Sequence, residues 1–253
     1  MGEVVIKVKE LKKNFRKGGD QLQVLKGIDL DIYAGEVIGY LGGNGAGKST
    51  TVKILCGILG DFTGEVSILG LDVRKEPLKI KRQIGYIPEN ALMYEHLTPR
   101  EYLEFIGTMY NMPPADIQEA IRRLLFQFGM QDHMNERMTA FSKGMKQKIH
   151  IISAMLHNPD ILFMDEPLNG LDANAVIMIK EMIAQWAKEG KTIFYCSHLM
   201  DVVEKVASRI VLIDQGIVVA NGTLADLEAA EGASSLETLF TKLTNPHSSE
   251  NQE

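Results

Sequence analysis

Cysteine is scarce in this sequence, and long hydrophobic runs are absent. Only two of the 253 residues are cysteines, Cys56 and Cys196, and both stand in apolar segments, which predicts buried free thiols and favours a reducing compartment. No Cys-x-x-Cys pair indicates a zinc site. No run of roughly eighteen apolar residues predicts a membrane-spanning helix, and Met1–Val4 does not resemble a signal peptide. These absences predict a cytoplasmic protein.

Positive charge is also in deficit. The chain has 27 Lys and Arg against 33 Asp and Glu, a net charge of -6, whereas nucleic-acid partners usually require a basic face. We therefore expect no nucleic acid partner. The N-terminal segment is an exception, and two interpretations of it stay open: a solvated strand and turn, or a positive rim beside an anionic ligand or lipid headgroup. Its basic residues are Lys7, Lys9, Lys12, Lys13, Arg16 and Lys17.

A phosphate-binding loop is the most informative feature that is present. The loop at residues 42–50 carries G-x-x-x-x-G-K-[ST] at 42–49, after an apolar strand at Val37–Leu41 and before an expected helix over Thr51–Leu59. In that context backbone N–H groups and a helix N-terminus converge on one anion. Lys48 adds a charge for the β- and γ-phosphates, and Ser49 a hydroxyl for Mg²⁺. The residues expected to contact the nucleotide here are Gly42, Asn44, Gly45, Ala46, Gly47, Lys48, Ser49 and Thr50.

Two carboxylates follow a second apolar strand at Ile161–Met164. Asp165 is placed to hold Mg²⁺, which prefers oxygen ligands, directly or through water. Glu166 is placed to orient or deprotonate a water that attacks the γ-phosphate. The plainer alternative is a strand end that meets a turn, and the phosphate loop upstream makes the metal and base interpretation the stronger one.

The hydrophobic pattern predicts an α/β fold. Strand-like segments surround the phosphate loop, whereas residues 98–157 carry apolar residues at helical spacing, as in Glu101–Tyr110 and Ile117–Phe128. We expect a P-loop NTPase core with a mostly parallel sheet, an antiparallel β subdomain and an inserted helical lobe at about 98–157, all within one domain over 1–245. The polar tail 246–253 is expected to be disordered. The other expected strands are Val4–Val8, Val24–Tyr33, Glu65–Leu69, Thr192–Cys196, Ile210–Ile213 and Ile217–Ala220, with a turn at Gly18–Asp20.

The order of the motifs resembles that of the ATP-binding-cassette (ABC) ATPases. After the phosphate loop come Phe141–Gln147, Asp165–Pro167, Gly170–Asp172 and Ser197-His198. The resemblance spans nearly the whole chain and implies ATP and Mg²⁺ as ligands. It implies a signature motif at Ser142–Met145, a D-loop that includes Asp172, and a switch histidine at His198 that acts in hydrolysis with Lys48 and Glu166. It also maps Phe15 to the aromatic residue that stacks on adenine; the alternative is a core residue near the Gly18–Asp20 turn.

The signature segment predicts a second anion site. Ser142 is a good N-cap for a helix through Leu156, and Gly144 removes side-chain bulk at the helix entrance. Since the chain already has a phosphate loop for its own nucleotide, the spare site suits the γ-phosphate of a partner's nucleotide. The resemblance implies a head-to-tail pair of cassettes around two ATP molecules, either two copies of this chain or two different chains.

Two departures from the common family pattern favour one branch. Glu89 stands where the family usually has Gln, and the signature reads Phe-Ser-Lys-Gly-Met. Both resemble exporters whose cytoplasmic-face ATPase pairs with a separate six-helix membrane permease. Glu89 is expected near the metal and nucleotide, at the junction of the α/β body and the helical lobe. The alternative classes are a soluble cassette that acts on DNA or ribosomes, and a cytosolic assembly factor.

Overall fold

Two β-sheets and the helices on them organise the chain. The computed structural model describes residues 2–17, 20–89, 92–168 and 171–244. Gly18 and Gly19 of the expected turn, Gly170 and the tail 246–253 lie outside the described residues. In chain order the elements are β1 (Val4–Lys17), β2 (Asp20–Tyr33), β3 (Val37–Leu41), α1 (Lys48–Leu55), β4 (Thr63–Ile68), β5 (Leu71–Asp72), α2 (Pro77–Lys81), β6 (Ile84–Ile87), α3 (Pro99–Met109), α4 (Pro114–Gln127), α5 (Lys143–Met155), β7 (Ile161–Asp165), α6 (Ala173–Lys188), β8 (Thr192–Ser197), α7 (Met200–Val206), β9 (Arg209–Asp214), β10 (Ile217–Gly222), α8 (Leu224–Glu231) and α9 (Leu236–Thr244).

The larger sheet is mostly parallel, as predicted. Its six strands lie in the order β10-β9-β3-β8-β7-β6, and only β10 runs antiparallel to its neighbour. Strands β3, β7 and β8 are buried along their whole length. This burial explains their continuous apolar sequences, because a parallel sheet is covered on both faces.

The two faces of this sheet belong to two hydrophobic cores. Along β7, Leu162 and Met164 face the core that the helices cover, whereas Ile161 and Phe163 face the other. The second core lies against α1 and an antiparallel sheet with the order β2-β1-β4-β5. The alternation follows from the two-residue side-chain period of a strand. The antiparallel pairing of β2, β1, β4 and β5 confirms the predicted antiparallel β subdomain beside the parallel core.

Helices occupy the described chain between β6 and β7. Pro99 begins α3 behind a capping box, in which the Thr98 hydroxyl accepts from the Glu101 N–H at 3.2 Å and the Glu101 carboxylate accepts from the Thr98 N–H at 2.8 Å. Pro114 takes the first position of α4, where a proline costs no helical hydrogen bond. Helices α3, α4 and α5 therefore lie where the helical insertion was predicted.

Several boundaries differ from the prediction. Helix α1 ends at Leu55, not at Leu59, because Gly57 adopts a left-handed φ of 63° and ends the helical path. Strand β1 is longer than predicted, since the register shift between Val8 and Leu11 breaks the alternation that marks a strand. Strand β2 begins four residues earlier than predicted, where residues 20–23 pair with residues 14–17. Within the part of the chain that is described, no helix is long and apolar enough to cross a membrane.

Candidate active site

The sequence-predicted catalytic residues meet at one edge of the parallel sheet. Strands β3, β8, β7 and β6 are consecutive neighbours and run in one direction, so their carboxyl ends share that edge. The phosphate loop follows β3 and His198 follows β8. Asp165 ends β7 and Glu166 comes directly after it, while Glu89 lies two residues beyond β6. Ligands of open α/β sheets bind outside the carboxyl ends of the strands, so this edge is the candidate active site.

Glycines allow the phosphate loop to pack tightly under the first turn of α1. Gly47 caps α1 with a φ of 110°, and a Cβ at this position would lie 2.6 Å from Leu25 Cδ2. A Cβ at Gly42 would collide with the backbone carbonyl of Ile213. Any larger residue would therefore strain or displace the loop. The N–H groups in the first turn of a helix have no partner within the helix, so those of α1 are available to an anion.

The Lys48 side chain lies along this loop and is buried. Its ammonium donates hydrogen bonds to the carbonyls of Gly42 at 2.7 Å and Gly43 at 3.2 Å. The hydroxyl of Thr51, one turn into α1, donates to the Gly47 carbonyl at 3.0 Å. These bonds hold one full positive charge within the loop that is predicted to bind phosphate.

Ser49 and Asp165 lie in direct contact. The Ser49 hydroxyl donates to Asp165 Oδ1 at 3.2 Å, which joins the first turn of α1 to the end of β7. Burial raises the pKa of Asp165; the carboxylates of Glu89 and Glu166 raise it further, whereas the Ser49 hydroxyl and the Lys48 ammonium lower it. Glu89 thus contributes to the raised pKa of Asp165, although the Glu89 side chain is exposed. Of the three residues predicted to hold a metal, Ser49, Asp165 and Glu89, the first two are therefore in contact.

Glu166 is held by two donors from the end of β8. Ser197 Oγ donates to Glu166 Oε2 at 3.1 Å, and a hydrogen bond of 2.8 Å joins His198 Nδ1 to Oε1. Glu166 itself is buried and left-handed, with a φ of 51°, a conformation that costs a non-glycine residue of order 1–3 kcal/mol. Its N–H continues the ladder by donating to the Cys196 carbonyl at 3.0 Å. The orientation of this carboxylate is thus fixed by the neighbouring strand.

The role of Ser197 was missed by sequence reasoning. The motif included the residue, but no function followed from its type. In the parallel register Asp165 pairs with Cys196, so the two residues that follow this pair, Glu166 and Ser197, lie side by side. The register of β7 against β8 carries the signal, and a single sequence does not give that register.

The signature residue Ser142 makes its hydrogen bond within the start of α5 and not to the phosphate loop. Ser142 caps α5 as predicted, since its Oγ accepts from the Met145 N–H at 3.2 Å. Ser142 is exposed and Gly144 is partly exposed. Among the described residues no hydrogen bond joins Ser142 to the phosphate loop. The start of α5 is therefore a second helix N-terminus that is open to an approaching anion.

Asp172 also caps a helix. Its Oδ1 accepts from the Ala175 N–H at 2.8 Å, at the start of α6. The other carboxylate oxygen can still accept a hydrogen bond from a nucleotide or a partner.

Phe15 is 36% exposed, so the alternative of a core residue is wrong. The ring lines a cavity of about 530 Å³ with residues of β1 and of the 61–63 segment. The ammonium of Lys13 lies 4.8 Å from the ring centroid, which is a cation–π distance. Lys13 is buried and hydrogen-bonded to Asp61, so the N-terminal basic run is not uniformly solvated. A ligand that stacks on Phe15 would use the part of the ring that Lys13 leaves open.

Comparison with known proteins agrees with this geometry. The family model described as "ABC transporter" matches residues 25–169. The ABC transporter ATP-binding protein NatA of Bacillus subtilis (strain 168) is 34% identical over 93% of this chain and 96% of its own length. The linearmycin resistance ATP-binding protein LnrL of the same organism is 36% identical over 85% of this chain and 69% of its own.

A solved structure extends the likeness to three dimensions. The ATP-binding cassette MJ0796, a dimer in a post-hydrolysis state bound to ADP and Pi, superposes with a TM-score of 0.80 at 25% identity. The match covers 87% of this chain and 98% of that one.

Proposed function

The chain belongs to the ABC transporter family and is an ATP-binding cassette ATPase, and from this premise we propose that it energises export through a separate membrane protein. One observation carries the catalytic part of the proposal: the phosphate loop, the Ser49–Asp165 contact and the doubly held Glu166 share one edge of the sheet. This arrangement supports hydrolysis of a γ-phosphate at that edge.

The phosphate loop supplies the binding charge. The N–H groups at the start of α1 and the Lys48 ammonium receive the β- and γ-phosphates, with Lys48 exchanging its carbonyl partners for phosphate oxygens. Phe15 stacks on the base with the open part of its ring. Among the described residues, no three His, Cys, Asp or Glu side chains cluster to hold a metal on their own.

The residues present fit Mg²⁺ bound together with the nucleotide. This ion binds through one or two protein oxygens plus substrate phosphates, and the Ser49 hydroxyl and Asp165 carboxylate provide that oxygen pair 3.2 Å apart. When bound, Mg²⁺ neutralises charge that develops on the transferred phosphate. Glu89 is another carboxylate that acts electrostatically on Asp165, and it follows β6 on the segment that leads to the helical insertion.

Glu166 acts as the base. Its carboxylate orients the attacking water and accepts the proton, while Ser197 and His198 keep it from rotating away. His198 remains more than half exposed in its side chain, so it can also meet the γ-phosphate when ATP binds.

A second cassette completes the site. The exposed start of α5, with Ser142 and Gly144, contacts the γ-phosphate held by the opposite cassette in a head-to-tail pair. The dimeric state of the related MJ0796 cassette supports this arrangement. Asp172, at the start of α6, lies in the segment that faces the partner.

The direction of transport is proposed from the relatives. The name of LnrL refers to linearmycin resistance, and that of another relative in Escherichia coli (strain K12), 34% identical, to a probable multidrug transporter. Resistance and multidrug transport both favour removal of a substrate from the cell. We place the protein on the cytoplasmic face of the membrane, attached through its permease.

Affinity purification from native membranes tests the membrane partner. We expect the tagged chain to retain a multi-helix membrane protein, and the reconstituted pair in liposomes to hydrolyse ATP faster than the isolated chain. The Lys48→Ala variant is the matched control, since it should retain the membrane protein without any hydrolysis to stimulate. Recovery with ribosomes or a soluble assembly partner, and no membrane protein, would contradict the proposal.

A further inference from the structure

A buried glutamine connects α5 to the loop that carries Glu166. Gln147 lies early in α5, and only 9% of its surface is exposed. Its Nε2 donates a hydrogen bond of 2.9 Å to the backbone carbonyl of Pro167. Breaking such a bond would leave a buried carbonyl without a partner, which is unfavourable. The contact therefore fixes the distance between α5 and this loop.

Pro167 directly follows the proposed base. A proline fixes its own φ, and Glu166 is confined to a left-handed φ of 51°. With both φ torsions restricted, a displacement of the Pro167 peptide unit is passed in part to the Glu166 backbone. Ser197 and His198 hold the Glu166 side chain from β8, and Gln147 holds the next peptide unit from α5.

The side chain next to Gln147 on α5, that of Lys146, makes a weaker contact. Lys146 pairs with Glu95 at 2.7 Å, but a quarter or more of each side chain is exposed. Solvent screens such surface pairs, and many contribute little. The neutral, buried bond of Gln147 is the firmer link between this turn of α5 and the sheet edge.

We infer that Gln147 is a positioning residue for ATP hydrolysis, which transmits the placement of α5 to the catalytic carboxylate of Glu166. The same helix begins at Ser142, so the contact links the end that meets the opposite nucleotide to the base of this chain's own site. The inference rests on the proposed role of Glu166. In this inference Gln147 contacts neither the attacking water nor the nucleotide. It acts on Glu166 through the Pro167 backbone.

Steady-state kinetics of Gln147→Met provide the first test. Methionine keeps the volume but cannot donate to the Pro167 carbonyl. We expect kcat to fall about 10- to 100-fold, because a misplacement of about 1 Å costs on the order of a hundredfold. The KM for ATP should stay within about twofold, since the phosphate loop is untouched. Gln147→Glu, which replaces the donor by an acceptor, should behave alike and keeps the test decisive if one variant does not fold.

The matched control changes the packing of α5 and leaves the hydrogen bond in place. Ile151 is fully buried on the same helix, and Ile151→Val removes one methylene. This variant should keep kcat near the wild-type value. An equal loss of kcat in Ile151→Val would mean that general loosening of α5 explains the effect, and would overturn the inference.

A double-mutant cycle gives the sharper test. If Gln147 acts through Glu166, then Gln147→Met should cost no further factor in single-turnover rate when Glu166 is already replaced by Gln. The same fold-loss in both backgrounds, or a wild-type kcat in Gln147→Met alone, would overturn the inference and leave the role of Glu166 intact. Wild-type turnover in Glu166→Gln alone would instead overturn the proposed function.

Discussion

The start of α1 and the start of α5 are both helix N-termini suited to an anion, but their surroundings differ. At the start of α1, side chains of the same chain surround the anion site: Lys48 is buried there, and Ser49 contacts Asp165. At α5 the cap Ser142 is exposed, and its hydrogen bond is local. We propose that the first site is enclosed at the sheet edge because this chain completes it, and that the second stays open because a second chain completes it.

Replacing Glu166, the proposed base of the enclosed site, should have the largest effect on ATP hydrolysis. Glu166→Gln keeps the shape and the neighbours of the side chain but removes its ability to accept a proton. We expect hydrolysis at least about a hundredfold slower, the lower end of the contribution of a general base, with ATP binding retained. The rate of phosphate release and equilibrium ATP binding measure the two quantities.

The matched control for this variant is Glu181→Gln, on the exposed surface of α6. It should hydrolyse ATP at the wild-type rate. Wild-type turnover in Glu166→Gln would mean that the enclosed site does not work through this carboxylate.

Removing the ring at Phe15 should have an intermediate effect. Phe15→Ala should weaken ATP binding by roughly 1–3 kcal/mol, the range for a base stacked on an aromatic side chain, and GTP nearly as much, because stacking tolerates either base. Calorimetry with both nucleotides measures this loss. The melting temperature without nucleotide should change little, since the ring is already 36% exposed.

Leu22, the cross-strand neighbour of Phe15 in β2, offers the control. It is 53% exposed, and Leu22→Ala should leave nucleotide affinity unchanged. A fall in melting temperature without loss of affinity in Phe15→Ala would assign the ring to stability instead of binding.

Neutralising Asp165 should have a smaller effect, and this effect is a gain: the nucleotide-free protein should become more stable. Burial raises the pKa of Asp165 above that of the unfolded chain, so its stabilising contribution is present at low pH and is lost as the pH rises through the folded pKa. Asp165→Asn should therefore raise the melting temperature of the nucleotide-free protein at pH 7, by about 2–4 °C for each 1 kcal/mol that the buried charge costs. The gap should shrink as the pH approaches the ordinary pKa of an aspartate.

Asp201→Asn provides the comparison at an exposed carboxylate, whose side chain is 67% exposed. It should show no gain at pH 7. A lower melting temperature for Asp165→Asn at that pH would mean that the enclosed site is not strained by its buried charge.

The sequence predicted which residues come together at the enclosed sheet edge, because the signals for these residues are local. Continuous apolar runs mark β3, β7 and β8, and the residues that follow each run reach the same edge once the strands are parallel. The end of α1 was mispredicted because apolar residues continue past Leu55, while a left-handed Gly57 decides the boundary.

The contacts that hold the base could not be predicted from one sequence. Ser197 meets Glu166 from 31 residues away, and Gln147 meets Pro167 from 20 residues away. Each contact depends on the packing of separate elements, so no pattern within either segment encodes it. For the same reason the exposed start of α5 gives a motif but no local partner.

Mixing two inactive variants tests the central claim, that one cassette's phosphate loop works with the other's α5. Lys48→Ala should lose nucleotide binding, and Gly144→Asp should bind ATP but place a like charge and bulk where the opposite γ-phosphate docks. In a head-to-tail pair of the two, one site regains an intact Lys48 and an intact Gly144. We predict that the mixture forms an ATP-dependent dimer on size-exclusion chromatography and hydrolyses ATP, although each variant alone does neither. A mixture of the folded variants that stays monomeric and as inactive as its components would contradict the claim.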